Sequence, residues 1–310
     1  MMQKSVYLLE PVSNETTDKL KELTLTSVIL DNEAVSSDSV NKLKEVSPDL
    51  KVFAEVPVFY GKEQIDRYPD AIPVNADGEK NDISENFYLC PTHEKVREEV
   101  LNKIKEFTNL GVDGIWLNFI RYATKWDTVE PKLLDTCYCE RCLAKFEEHI
   151  GEKLVYKNFE ELYLLIDGSY YFEWLEFKSD QIVSFIKEAS TINSELGAFI
   201  VPWMDKDYGA GIKRIVAQDF DKMSQYVKTF TPMLYHKPLG KDVSWVKDMA
   251  DYCWEAGLNF LPIVQSEPED FKEVLNYATS GVSKGVCIYY FEDLYKNKPQ
   301  LFDIVKSAFN

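Results

Sequence analysis

Eight short runs of apolar and β-branched residues recur along the chain, and the segments between them carry helical periodicity. The runs are SVYLLE (5–10), SVILD (27–31), KVFAEVPVF (51–59), GIWLNFIRY (114–122), LGAFIVPW (196–203), VKTFTPMLYH (227–236), LNFLPIVQ (258–265) and GVCIYYFED (285–293). Nearly unbroken apolarity, rather than alternation, is what a parallel strand needs when helices cover both faces of its sheet. In the segments between, Val96, Val100, Ile104 and Phe107 fall at i, i+4, i+8 and i+11, and Trp174, Phe177, Ile182, Phe185, Ile186 and Ala189 form a second stripe. Both stripes read as core-facing helix sides. Gly111, Gly257 and Gly281 each follow a helical run and precede a strand, as helix-ending glycines do. The pattern predicts an α/β fold, a single parallel (β/α)8 barrel (a TIM barrel). At 310 residues and 45% apolar content the chain has enough core for one domain of that size.

No Pro/Gly/Ser-rich linker or compositional break divides 1–310, so one barrel domain is expected. Two excursions interrupt the regular spacing, at 60–90 after the third strand and at 123–170 after the fourth. Both leave from the C-terminal ends of strands, the face on which barrels do chemistry.

Thirty-five basic against 52 acidic residues leave a formal charge of −17, which repels phosphate backbones and anionic lipid. Neither nucleic acid nor membrane is expected as a partner; association into a homo-oligomer stays open. No stretch reaches the ~20 apolar residues that span a bilayer, and MMQKSVYLLE lacks the apolar core of a signal peptide. The expectation is a cytoplasmic protein, or a secreted one whose leader was trimmed. The one glycine-dense stretch, Gly209-Ala-Gly211, has neither the spacing nor the lysine of a phosphate-binding loop.

Three of the six cysteines crowd into Cys137-Tyr-Cys139-Glu-Arg-Cys142. Thiols at that spacing can be gathered as thiolates around one tetrahedral ion, and structural zinc is the expected cofactor. Cys90, before the helix leading into the fourth strand, is the preferred fourth ligand because the two excursions leave from neighbouring strands; His93 and His149 are the alternatives. Ordinary reduced thiols are the competing reading, and Cys253 and Cys287 are expected to be such.

With Cys90 and CYCERC placed after the fourth strand, the cluster resembles the zinc site of family 42 β-galactosidases and related glycoside-hydrolase-like barrels. LCPTHEKVREEV, GVDGIWLNFIRYATKW, DTCYCERCLAKF and QDFDKMSQYVKTFTPMLYH are similar to segments of barrels known only as glycosyl-hydrolase-like, over about 50–293. The resemblance implies a carbohydrate-active barrel. It departs at the end of the fourth strand, where family 42 has an Asn-Glu pair and this chain has Asn118-Phe-Ile-Arg121-Tyr122. The DxxDxDxE run of family 18 chitinases is absent as well, and the segments that look most alike imply Asp where Asn118 stands.

Glycosidic hydrolysis usually needs two carboxyl groups, one with a raised pKa. The acids at strand ends are Glu10, Asp31, Glu33, Glu55, Asp205, Glu292 and Asp293, from which Glu55, Asp205 and Glu292 are taken as the catalytic candidates. Glu55 sits inside an apolar strand, either facing a polar cavity or paired with Arg121. Asp205 follows Trp203 on the exit of the fifth strand, and Glu292 follows two tyrosines and a phenylalanine, surroundings that raise a carboxyl pKa. Sugars stack C–H faces on aromatic rings and hydrogen-bond through hydroxyls. Tyr122, Trp126, Trp203 and Tyr235, with Asn118, Arg121, His236 and Gln265 as polar handles, are therefore the expected substrate contacts. Two functions follow: a glycoside hydrolase acting on an oligo- or polysaccharide, or a carbohydrate-binding barrel without catalysis.

Overall fold

The computed structural model describes residues 2–84, 86–280 and 283–310. The first half of the chain runs β1 (Gln3–Leu8), α1 (Asn14–Lys21), β2 (Ser27–Leu30), α2 (Ser37–Val46), β3 (Lys51–Pro57), α3 (Lys62–Arg67), α4 (Glu94–Asn109) and β4 (Gly114–Asn118). It continues with α5 (Glu140–Ile150), α6 (Phe159–Ser169), α7 (Tyr171–Ile192), β5 (Leu196–Ile200), α8 (Gly211–Arg214), α9 (Phe220–Met223) and β6 (Thr229–Pro232). The last quarter holds α10 (Ser244–Glu255), β7 (Ile263–Gln265), α11 (Phe271–Ala278), β8 (Gly285–Tyr289), α12 (Phe291–Asn297) and α13 (Pro299–Phe309).

All strands pair in parallel in the order β6-β5-β4-β3-β2-β1-β8-β7. The ring closes between β6 and β7 through the parallel bridges Phe230–Phe260 and Met233–Ile263. This is the single (β/α)8 barrel that the apolar runs predict. At β3, β4, β5, β6 and β8 the strands stop short of those runs, because the apolar residues beyond their C-terminal ends belong to the rim. β7 is the shortest, and Pro262, which has no N–H to give a ladder, directly precedes it.

Register fixes which residues share the barrel interior, because alternate side chains along a strand point the same way. Tyr7 pairs with Ile29, Ile29 with Phe53, Glu55 with Trp116, Trp116 with Gly197, Phe199 with Thr231, and Gln265 with Tyr289. Trp116 fills the interior at the level of β4 and donates its indole N–H to Thr231 Oγ1 at 2.8 Å. Gly197 makes room for that ring: a Cβ there would lie 2.2 Å from it. The helical stripes predicted on α4 and α7 are buried as expected. Gly111 and Gly257, just past the ends of α4 and α10, take φ of +85° and +70°, the left-handed helix ending for which glycine is suited. Gly281 lies outside the described residues. Among the described residues, no helix is long and apolar enough to cross a membrane.

Candidate functional site

A cavity of about 650 Å³ opens at the C-terminal end of the barrel. Its floor takes one inward side chain from the end of every strand: Tyr7, Asp31, Glu55, Asn118, Phe199, Met233, Gln265 and Tyr289. The strand alternation that packs Phe53 and Trp116 into the interior places Glu55 and Asn118 one step higher, where the side chains meet the cleft.

Glu55 is held on both oxygens. Asn118 Nδ2 donates to Oε1 at 2.7 Å, the Asn32 backbone N–H donates to Oε2 at 3.2 Å, and the Tyr7 hydroxyl lies 3.1 Å from Oε2. The same hydroxyl lies 2.8 Å from Asp31 Oδ2. A phenol has one hydrogen, so it can donate to one carboxylate only, and the trio is fully satisfied when the second carboxyl carries a proton. Burial, and next the charge of Asp31, push the Glu55 carboxyl up to about 7, against the opposing pull of its hydrogen bonds. Burial, with the neighbouring Glu55 and Asp31, also pushes the Tyr7 phenol well above its ordinary value, so it stays a hydroxyl.

The cleft walls are aromatic. Tyr60 stacks on Phe119 at 4.1 Å, and Trp126 stacks on Tyr235 at 6.1 Å with 26° between the rings. Arg121 is pinned rather than paired with Glu55: it donates to the carbonyls of Tyr122 and Thr124 and lies over the rings of Tyr88 and Phe119 at 5.3 and 5.2 Å. Its guanidinium still borders the cavity, as do Lys125 and the acids Glu33 and Asp127.

The structure brings together Glu55, Asn118, Arg121, Trp126, Tyr235 and Gln265 in this cleft. Asp205 and Glu292 do not border it. Asp205 lies beyond the exit of β5, in an exposed depression with Asp248, Asp251, Tyr252 and Glu255 on α10. Glu292 is 1% exposed in the first turn of α12, where its oxygens accept the backbone N–H groups of Leu9 at 3.3 Å and Glu10 at 3.0 Å. His236 is buried against Asp270, Nε2 to Oδ2 at 3.0 Å. Trp203 faces a smaller neighbouring pocket, and Tyr122 is wholly buried beneath the rim. Tyr7, Asn32, Tyr60 and Tyr88 join the cleft without having been singled out from sequence. For Tyr7 the available signal was its inward parity at the end of β1.

Cys90, Cys137, Cys139 and Cys142 bring four sulfur atoms within 4.8 Å of one another. Cys90 Sγ lies 3.7 Å from Cys139 Sγ and 3.4 Å from Cys142 Sγ, close to the ~3.8 Å edge of a tetrahedral shell of thiolates around a metal ion. Cys139 caps the start of α5 and Cys142 lies in its first turn, so the helix N-terminus itself favours negative sulfur. The Val74 N–H reaches Cys137 Sγ at 3.4 Å, and the Thr92 hydroxyl lies 3.1 Å from Cys90 Sγ and 3.2 Å from Cys142 Sγ. Burial raises the thiols of Cys137 and Cys142, whereas hydrogen bonds from Cys137, Cys142 and Cys90 lower that of Cys139. The donor set fits a metal ion. His93 is turned to other work: its Nδ1 accepts the Val96 N–H at the start of α4, and its Nε2 meets Asp70. His149 packs against Phe146 and Phe177, and Cys253 and Cys287 are buried in α10 and β8.

No protein-family model matches the chain, and no curated protein matches its sequence. Solved structures match its fold. The glycoside hydrolase domain of PgaB (BpsB) from Bordetella bronchiseptica superposes with a TM-score of 0.75 at 12% identity, over 100% of this chain and 99% of that one. A β-galactosidase from the psychrophilic Marinomonas ef1 gives 0.68 at 15% identity, over 93% of this chain and 54% of its own. The glycoside hydrolase domain of PelA from Pseudomonas aeruginosa gives 0.54 at 12% identity, over 93% and 96%. The chain spans about half the length of the β-galactosidase. At such identities the likeness carries the fold alone: this chain shares its (β/α)8 barrel with those structures.

Proposed function

We propose that the chain is a glycoside hydrolase acting on an oligo- or polysaccharide, with Glu55 as proton donor and Asp31 as its charged partner. The observation that carries this reading is the Tyr7 hydroxyl between the two carboxyl groups on the floor of an aromatic-walled cleft. A carboxyl with a pKa near 7 keeps a proton for the leaving oxygen at neutral pH, while the neighbouring carboxylate can stabilise or attack the anomeric carbon. The two oxygens beside the hydroxyl are less than ~6 Å apart, which favours the short spacing of retaining enzymes. Trp126 and Tyr235 offer ring faces to the sugar, and Asn118, Arg121 and Gln265 offer hydrogen bonds. For Glu292 we propose a role in fastening α12 to the exit of β1, for His236 in tying the exit of β6 to α11, and for Asp205 a place outside the chemistry.

We assign the metal as zinc, held by the four cysteines in a closed structural shell. An all-thiolate tetrahedral set suits zinc, and four protein ligands leave no open position for a substrate. Lys178, fully buried, lies near this site; its Nζ is 4.8 Å from the Tyr122 ring centroid and donates to the Arg214 carbonyl at 2.8 Å. Its ion-pair partner is Asp135, Nζ to Oδ1 at 3.6 Å.

A second reading, a barrel that binds carbohydrate without cleaving it, is favoured by the amides Asn118 and Gln265 at the ends of β4 and β7 and by the saturation of both Glu55 oxygens. Reducing-end release from a panel of aryl glycosides and oligosaccharides, with Glu55→Gln alongside, separates the two. Turnover lost in Glu55→Gln supports the hydrolase. Binding without turnover in the parent selects the second reading, and equal turnover in parent and variant removes Glu55 from the chemistry.

A further inference from the structure

Beside the main cleft, on the same face of the barrel, lies a second pocket of about 180 Å³. Its apolar surface comes from Val129, Trp203, Tyr208, Leu239 and Trp245, on segments that follow β4, β5 and β6. The two cavities share walls. Trp126 and Asp127 line the cleft and the next two residues line the pocket; Pro238 lines the cleft and Leu239 the pocket. The ridge between them is a contact of two loops, tight enough that a Cβ on Gly240 would lie 3.1 Å from Val129 Cγ2.

One wall of this pocket is built at a conformational cost. Tyr208, Gly209 and Ala210 are consecutive residues with φ of +52°, +62° and +59°. For Tyr208 and Ala210 that is a disfavoured backbone, and such residues gather where ligands are held. Asp207 locks the turn, its Oδ2 accepting the Met204 N–H at 2.8 Å and its carbonyl accepting the Gly211 N–H at 2.9 Å. The result is a Tyr208 ring set 4.8 Å from that of Trp203 and left 37% exposed, facing a pocket instead of completing a core.

We propose that this pocket is a distal sugar subsite that receives a residue of the same glycan chain whose scissile bond lies over Glu55. The proposal rests on the reading of the main cleft as a carbohydrate site, and it narrows the ligand to an extended glycan. A chain leaving the cleft past Tyr235 crosses the ridge and next meets the exposed Tyr208 ring, which is backed by the buried Trp203. The volume is on the scale of one hexose ring. Aromatic faces take the C–H side of a sugar, and Asp248 and Lys241 at the pocket edge take its hydroxyls.

The test is binding, measured by calorimetry on the full chain carrying Glu55→Gln so that turnover does not interfere. The probes are cello-, chito-, xylo- and galacto-oligosaccharides of two to eight sugars. Affinity is expected to keep rising with length beyond the trisaccharide, and Tyr208→Ala is expected to remove that rise, about tenfold on the longest ligand, with trisaccharide binding unchanged. Tyr208→Phe should keep it. Trp245→Ala provides a second truncation of the same wall, and melting temperatures confirm that the variants fold. Affinity that stops growing at the trisaccharide, or a rise that survives both truncations, overturns the subsite and leaves the cleft reading intact. Binding of none of the probes overturns both.

Discussion

Asn118 donates its side-chain amide to Glu55 Oε1 at 2.7 Å, while its own Oδ1 accepts the Phe119 backbone N–H at 2.8 Å. The second bond sets the first, since flipping the amide would bring its NH₂ against the Phe119 N–H. Glu55 Oε1 is therefore always met by a donor, and a proton on Glu55 belongs on Oε2, toward Tyr7.

Asn118→Asp exchanges that donor for a carboxylate. Two like charges at this distance hold Glu55 protonated to higher pH, and the lost hydrogen bond loosens its placement. The expected outcome is a 10- to 100-fold lower kcat/KM at neutral pH, with the alkaline limb of the pH–rate profile moved upward. An unchanged profile would detach Asn118 from Glu55. Activity present in Asn118→Asp alone would make the parent a binding barrel.

Much of the barrel was legible because a parallel strand buried on both faces has little choice but to be apolar. The runs to 122, 203, 236 and 293 overshoot strands that end at Asn118, Ile200, Pro232 and Tyr289, because rim residues such as Ile120 and Phe291 are as apolar as the strands they follow. Glu55, Asn118 and Gln265 were legible as polar groups at the inward ends of apolar strands. Tyr7 was not, since an aromatic in a strand reads as core until a carboxylate is found on either side of its hydroxyl. Asp205 and Glu292 lie beyond strand ends, where placement depends on how the chain turns over the rim, and local sequence carries little of that.

Glu55 makes a pH-dependent contribution to the fold. Its folded value of about 7 lies above the ordinary 4.5, so between those values the folded chain holds a proton that the unfolded chain has released. Its contribution is fully present below about 4.5 and is lost as the pH rises through about 7. Glu55→Gln has no such charge to bury. Urea titrations should show the variant gaining on the parent by ~1–3 kcal/mol between pH 5 and pH 8. Turnover of the parent should fall over the same range as the acid loses its proton. A constant difference between the two proteins across that range would mean that Glu55 stays ionised in the fold.

Gly197→Ala tests the packing beneath the cleft. The added methyl would lie 2.2 Å from the Trp116 ring, which is buried and tethered to Thr231, so the indole must shift and its hydrogen bond weaken. A loss of ~1–3 kcal/mol in denaturant unfolding is expected. Trp116→Leu in the Gly197→Ala background should cost less than Trp116→Leu alone, because the space the two residues contest has been vacated. Strictly additive effects would contradict the contact.

The four-cysteine site makes the last prediction. Purified protein should carry about one zinc per chain, and Cys139→Ser or prolonged chelation should release it. Cys90, Cys137 and Cys142 are buried, so the emptied site leaves thiols crowded together with no cation to gather them, and the free energy of metal binding is lost to the fold. The melting temperature should fall by several degrees, each kcal/mol being worth ~2 °C in a chain of this size. The loops that carry the cysteines also carry Tyr88, two residues before Cys90, whose hydroxyl donates to the Thr124 carbonyl and whose ring lies under Arg121. Loss of the metal should therefore weaken ligand binding in the cleft as well as stability. Cys253→Ser, at a buried thiol outside the cluster, is the control that should keep the metal. A metal-free parent with the same melting temperature as Cys139→Ser would leave the four sulfurs as a packing cluster.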